Sequence, residues 1–400
     1  MQLESGSRSA SVDIVIPVKI VNPEPGGGDS NSIDFILSEN HTFTSVQSIQ
    51  FDSMAFSAPV LATGPEMGEL HIVCENYYSN SDIYAISYLH SSDEGATWSN
   101  PINLVESEQK CSYPAIAIDS AGNIYVSFFA DQLYFLHRKP GESLWQTPMV
   151  LASGSSTAIE STLHVDPNDR IHITWSETDN SGNLSLYYAS SGADSNQWTQ
   201  PINIAAGKAN YSSAYNQSIA SDGNSHVYAA WTSWPKWASR YGYTYTNYSH
   251  DGGLSWQSSD KTFNVSSSLA IAIDSEGSLC LLASQSYLPF QNKIVFYKSK
   301  NYGASYSLPI NITEYSSDRE PRIKIDSRSN YNVIFRRQNQ LLFTRSTNLG
   351  QDWSPLHTVS SNFSSIQNGE MAVDREGNIY LIYLSTTGGN TLRFQKSRTE

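Results

Sequence analysis

Seven segments of this chain share one layout, and that repetition limits what the chain can fold into more than any other feature. PAIAIDSAGNIYVSF (114–128), STLHVDPNDRIHITW (161–175) and LAIAIDSEGSLCLLA (269–283) each place a short alternating strand before an Asp- or Gly-bearing turn and a second, β-branched or aromatic strand. QSIASDGNSHVYAAW (217–231), PRIKIDSRSNYNVIF (321–335) and EMAVDREGNIYLIY (370–383) fit the same layout. PVLATGPEMGELHIV (59–73) is the seventh copy, with a longer turn. A third strand follows, as in DIYAISYLH (82–90), KIVFYKSK (293–300) or QLLFTRS (340–346), then a polar turn and often a Pro-led fourth strand such as PINLVES (101–107).

Four antiparallel strands recurring about every 50 residues spell an all-β, seven-bladed β-propeller. One such sheet cannot bury both its faces, but sheets stacked radially can. The last copy stops after TLRFQKS (391–397), while IDFILS (33–38) and TFTSVQSIQF (42–51) are strands without a blade. An N-terminal strand is therefore expected to complete the final blade and close the ring. Six blades are the runner-up count, and eight would follow from a missed degenerate copy. Residues 31–400 form the propeller, and residues 1–30 hold the alternating segment SVDIVIPVKIV (11–21) and a Gly-rich linker. That segment either lies on its own propeller or is donated to a second copy, giving self-association into oligomers or a filament.

Composition narrows the partners. A net charge of −14 with no basic run argues against nucleic acid and anionic membranes. No apolar run is long enough to span a bilayer. Cys74, Cys111 and Cys280 lack metal-ligand spacing and are read as small buried hydrophobes. The nine histidines form no ligand set, His164 and His172 are expected on different faces of one hairpin, and no cofactor or metal is expected. G-x-S-x-G, P-loop and dinucleotide fingerprints are absent from the sequence.

The polar turn is itself a motif. SSDEGATW (91–98) and SHDGGLSW (249–256) share Ser91/Ser249, Asp93/Asp251, Gly95/Gly253, Thr97/Ser255 and Trp98/Trp256. SKNYGASY (299–306) and STNLGQDW (346–353) keep Asn301, Gly303, Asn348, Gly350 and Trp353, and RKPGESLW (138–145) and SSGADSNQW (190–198) keep less. The carboxylate or amide can accept backbone N–H bonds across the turn, the glycine supplies special backbone angles, and the ring is expected to bury against its own sheet. A catalytic carboxylate is not needed at equivalent places all round a ring, so these residues are scaffold.

The octets at 91–98 and 249–256, with Trp98-Ser99-Asn100-Pro101 continuing the first, resemble the Asp-box (BNR repeat) of sialidase-like β-propellers. The resemblance covers the chain from about residue 31. It implies the fold, but such propellers include sialidases, other glycosidases, lectins, sorting receptors and assembly factors. For a sialidase it would further imply three arginines on the sugar carboxylate, a Tyr nucleophile with a Glu partner, and an Asp acid/base. Here no arginine lies between Arg8 and Arg138, and SAPVLATG (57–64) stands where the first would fall, so the clamp is incomplete. Arg319 and Arg322 in SDREPRI (317–323) are candidates for an acidic group, with Arg336 and Arg337 on the next hairpin.

Another glycosidase would need two facing carboxylates at the ring mouth, and Glu75, Glu160, Glu177, Glu320 and Glu370 are placed to gather there; Glu160, Glu320 and Glu370 are the catalytic candidates. The loops after the second strands are aromatic: Tyr77 and Tyr78, then Trp234, Trp237, Tyr241 and Tyr243, then Tyr287 and Phe290. Such faces suit sugars or protein partners, unless the loops fold over and bury them. The expected function is a non-catalytic extracellular or cell-surface module binding glycan or protein through ring-face loops. The alternatives are a sialidase-like glycoside hydrolase and a structural subunit assembled through residues 11–21.

Overall fold

The computed structural model describes residues 42–398, apart from 52–53, 153–156, 179–183, 194–196, 207–210, 236–241, 260–262, 266–267, 289–290, 315, 361–364 and 387–390. The 11–21 segment and the Gly-rich linker lie outside the described residues. The described chain forms seven antiparallel sheets of at least four strands each. We number these blades I to VII from residue 55 onward.

The first strands of the blades are Ala55–Thr63, Ser112–Ile118, Thr157–Val165, Tyr211–Ser221, Leu269–Ile273, Asp318–Ile325 and Ile366–Val373. Each contacts the next, and the seventh contacts the first, so they form the inner wall of a closed seven-membered ring. Closure follows the expected route. Thr42–Phe43 and Gln47–Ile49 both pair with Thr391–Arg398, completing blade VII from the N-terminal side. Blade IV also carries a second short outer strand, Phe263–Val265, against Gly242–Thr244.

Period-two patterning places the core between blades rather than within one. The large inner-strand residues Leu61, Ile116, Ile219, Ile271, Ile323 and Met371 each enter a cluster shared by two neighbouring blades. The II/III interface holds two patches, around Trp175 and around Tyr125. All three cysteines are buried and unpaired with one another.

Two kinds of turn recur among the blades. In the hairpin between first and second strands an aspartate accepts backbone N–H bonds: Asp119 from Ala121 and Asn123, Asp274 from Glu276 and Ser278, Asp374 from Glu376 and Asn378. In the octet turn between third and fourth strands, Ser91 Oγ donates to Asp93 Oδ1 at 2.7 Å and accepts from the Gly95 amide at 2.9 Å. Asp93 then accepts the Thr97 amide at 2.9 Å and the Thr97 hydroxyl at 2.6 Å. Ser249, Asp251, Gly253 and Ser255 repeat the network.

Where Asn replaces Asp the last bond reverses, since an amide nitrogen donates. Asn301 Nδ2 gives to Ser305 Oγ, and Asn348 Nδ2 gives to the Asp352 carboxylate, both at 2.9 Å. These residues are scaffold, with bonds local to the turn.

The terminal ring corrects one expectation. Trp98 does not pack only on its own sheet; it meets Phe394 of blade VII edge-on at 5.5 Å. Trp145 meets Tyr88 of blade I, Trp198 meets Phe135 of blade II, Trp256 meets Tyr188 of blade III and Trp353 meets Phe296 of blade V. The octet glycine sits beneath the same ring: a Cβ on Gly95 would lie 2.3 Å from Phe394, and one on Gly253 2.2 Å from the Tyr188 hydroxyl oxygen. The octet is thus a latch onto the preceding blade, because a flat aromatic edge needs a neighbour without a side chain.

Candidate functional site at the ring mouth

The mouth is the end where the first strands begin, and there they share a defect. Six residues before the hairpin aspartates Asp119, Asp166, Asp222, Asp274, Asp326 and Asp374 stand Tyr113, Glu160, Asn216, Ser268, Glu320 and Asn368. In blade I the corresponding residue is Ala58. The register slips at this level in blades I, II, III, IV, VI and VII, as a β-bulge inserts a residue. Ala58, Tyr113, Asn216, Glu320 and Asn368 have positive φ of 43°, 54°, 53°, 57° and 51°. Five non-glycine residues in the left-handed region at one level of a ring are a costly arrangement that the surroundings must hold.

Neighbouring blades hold it. The Tyr113 amide donates to Glu75 Oε1 at 3.0 Å, and Ser57 Oγ donates to Glu75 Oε2 at 3.0 Å. The Asn216 amide donates to Glu160 Oε2 at 2.7 Å, and the Glu320 amide to Ser268 Oγ at 2.8 Å. Burial raises the Glu160 carboxyl to about 7, against the pull of the Asn216 amide, the charge of Arg322 and the Gln217 amide. Glu160 therefore titrates near neutrality at the rim of the channel.

Blade VI supplies the cations. Arg322 Nε donates to Glu370 Oε1 at 2.7 Å and its Nη1 to the Pro321 carbonyl at 3.2 Å. Arg336 forks onto Glu320 at 3.0 and 2.5 Å, and Arg337 onto Asp318 at 2.6 and 2.8 Å. Arg319, half-buried, is the Cα partner of Arg336, and its Nε is buried without a hydrogen-bond partner. Lys324 is exposed one alternation further down the same strand. Arg322 is hydrogen-bonded to Glu370 and also feels the charges of Glu320 and Glu160 at longer range.

The expected aromatic loops fare differently. Tyr77 donates to Asp82 at 2.8 Å and packs on Tyr84 at 4.8 Å, while the Tyr78 hydroxyl exchanges hydrogen bonds with Asn103 of its own outer strand. Both rings stay half-exposed but are held by their own blade. Trp237, Tyr241 and Phe290 lie outside the described residues. Trp234 and Tyr287 belong to the strands Val227–Pro235 and Leu279–Leu288, and their side chains are outside the description. Glu177 accepts from the Trp175 indole at 2.8 Å.

Two residues were not singled out from sequence. Tyr113 is 41% exposed and Tyr215 39%, and they flank Glu160 from blades II and IV. Their signal was positional: each lies at or beside the residue six before a hairpin aspartate. The two histidines also need correcting. His164 and His172 are direct cross-strand partners with rings 6.1 Å apart, so they share a face. Burial first, then the charges of His172 and Lys324, lower His164 to about 3, and His172 bonds Tyr188 and Asp166. Among the described residues no group of three or more His, Cys, Asp or Glu is arranged to hold a metal ion.

In fold this is a seven-bladed β-propeller of antiparallel blades. Among solved structures, a protein of unknown function from Dyadobacter fermentans DSM 18053 is similar over 89% of this chain and 99% of its own, with 10% identity and a TM-score of 0.54. The Hadza microbial sialidase Hz136 is similar over 85% of this chain, which spans 65% of that enzyme, at 15% identity and TM-score 0.48. An α-L-arabinanase of Penicillium chrysogenum is similar over 72% of this chain and 92% of its own, at 10% identity and TM-score 0.49. These likenesses concern fold and not the chemistry of a site. No family model matches the sequence, and no curated protein matches it.

Proposed function

We propose that this propeller is a glycan-binding module whose site is the ring mouth around Glu160. The observation that carries the reading is the exposure of Tyr113, at one inner-strand bulge, and of Tyr215, beside another, on the blades either side of that carboxylate. Exposed tyrosine faces suit the C–H faces of a sugar, while Glu160, Asn216 and Gln217 offer hydrogen bonds to its hydroxyls.

Binding is favoured over sialidase chemistry by two features. Arg322, Arg336 and Arg337 are each engaged by a carboxylate of the protein, so a substrate carboxylate would have to displace an existing partner. Burial and the nearby Glu160 and Glu75 also push the Tyr113 phenol up, the reverse of what activates a nucleophile.

The test is a glycan array followed by calorimetry on the wild type, Tyr113→Ala and Tyr215→Ala. Loss of binding in both variants, with unfolding midpoints unchanged, supports the reading. Undiminished binding in both refutes it, and hydrolysis of any arrayed glycan would move the protein to the enzyme class.

A further inference from the structure

The mouth divides into two electrostatic halves. On the blade VI side each carboxylate has a guanidinium partner: Glu370, Glu320 and Asp318 pair with Arg322, Arg336 and Arg337. On the blade I to IV side two carboxylates, Glu75 and Glu160, have no Lys or Arg at ion-pair distance among the described residues. Their contacts are neutral donors, namely Ser57 and the Tyr113 amide for Glu75, and the Asn216 amide for Glu160. Between and beside them stand the exposed rings of Tyr113 and Tyr215.

Ser176, the cross-strand partner of Glu160, is fully buried, and its hydroxyl has no hydrogen-bond partner. It is a buried polar atom on the strand beside Glu160 with its bonding capacity unused.

We propose that this half of the mouth recognises a positively charged amine on the glycan, so that the ligand is an amino sugar with a free ammonium group. The proposal rests on the glycan-binding reading and narrows it. An ammonium is attracted both to carboxylates and to the negative face of an aromatic ring, and the Tyr113–Glu75–Glu160–Tyr215 group offers both. Among the described residues these two carboxylates lack the cationic half of an ion pair. A bound cation would give Glu160 the partner that Arg322, held by Glu370, only supplies at a distance. The charge of −14 adds long-range attraction for a cationic ligand and repulsion for a uronic or sialic acid.

The experiment compares a glucosamine oligomer with its fully N-acetylated counterpart by calorimetry at pH 6.5 and low salt, where much of the amine is protonated. Wild type is expected to bind the free amine form at least tenfold more tightly. Glu160→Gln keeps an oxygen for the Asn216 amide and removes the charge, so it is expected to erase that preference, with the free-amine oligomer losing at least tenfold in affinity and the acetylated oligomer far less. Glu75→Gln should reduce the preference severalfold.

Equal binding of the two oligomers, or a preference surviving in Glu160→Gln, overturns the amine inference and leaves the glycan reading standing. Binding of neither overturns the amine inference, and the glycan reading is then decided by the array. An oligolysine peptide competing as effectively as the glucosamine oligomer would overturn the assignment of a sugar.

Discussion

The latch geometry predicts that two adjacent glycines of one turn respond differently to the same substitution. Gly252 and Gly253 both have positive φ, 73° and 92°, so alanine at either meets the left-handed penalty, about 1–2 kcal/mol. Beyond that they diverge. Nothing lies within 4 Å of a Cβ on Gly252, whereas a Cβ on Gly253 would stand 2.2 Å from the Tyr188 hydroxyl oxygen and 2.3 Å from its ring. Tyr188 is buried and bonded to His172 at 2.8 Å, so it cannot swing away without breaking a buried contact. Forcing the clash adds about 1–3 kcal/mol of overpacking.

Gly252→Ala should therefore destabilise by about 1 kcal/mol and Gly253→Ala by about 2–5 kcal/mol. At roughly 2 cal/mol/K per residue of unfolding entropy, a ring of this size shifts by about 1.5 °C per kcal/mol. The expected separation is thus a few degrees in scanning fluorimetry, with the same order in urea midpoints followed by tryptophan fluorescence. The chain has already made the Gly252 substitution elsewhere: Glu94, Tyr302 and Leu349 occupy that position with φ of 57°, 62° and 59°. Equal midpoints for the two variants would refute the claim that the octet glycine is fixed by the neighbouring blade.

Three further outcomes follow from the same geometry. Hydrogen bonds from the Ser255 side chain, the Ser255 amide and the Ser249 side chain lower the Asp251 carboxyl to about 2; being depressed, it stabilises the fold above 3.8 and loses that contribution as pH falls towards 2, so the acid limb of a Tm–pH curve should flatten in Ser255→Ala. In blade VI, Asn348→Asp sets two carboxylates together and should cost about 1 kcal/mol, while adding Asp352→Thr rebuilds the Asp93–Thr97 bond pattern and should recover most of it; a double-mutant cycle in urea measures this. Trp198→Ala removes the edge contact with Phe135 across the II/III interface and should lower stability by about 2–3 kcal/mol, read as the urea midpoint, whereas a change under about 0.5 kcal/mol would deny the latch its role.

The architecture was readable because its signals are local and recur. Alternation, an aspartate turn and an octet each announce themselves within fifteen residues, and seven copies leave little freedom. The direction in which Trp98 packs was not readable, because octet spacing is the same whether the ring lies on its own sheet or the next. His164 and His172 were misplaced because the side they share depends on register across the turn at Asp166, not on their separation in sequence. Glu160, Glu370 and Arg322 were visible as residue types near strand starts. Their meeting at one rim required the ring to close. Tyr113 and Tyr215 escaped notice because a bulge turns an inner-strand side chain towards the mouth, and a bulge leaves almost no mark in single-sequence periodicity.

Ring closure by the N-terminal strand also sets an order of events. Gln50 bonds Thr391, the Gln395 amide bonds the Thr44 carbonyl, and Thr44 Oγ1 accepts from the Lys396 amide, across 341, 351 and 352 residues of sequence. During synthesis blades I to VI can stack one by one as each emerges from the ribosome. The seam cannot form until residues 391–398 are free to meet 42–49. Through that interval the apolar flanks around Leu61 and Phe56 at one end, and around Phe343 and Leu341 at the other, have no partner. Closing so long a loop is entropically only slightly worse than closing a short one, but the search is slow, and bare strand edges are exposed meanwhile. The same seam that buries the flanks of the closed ring makes the unclosed chain its most aggregation-prone form.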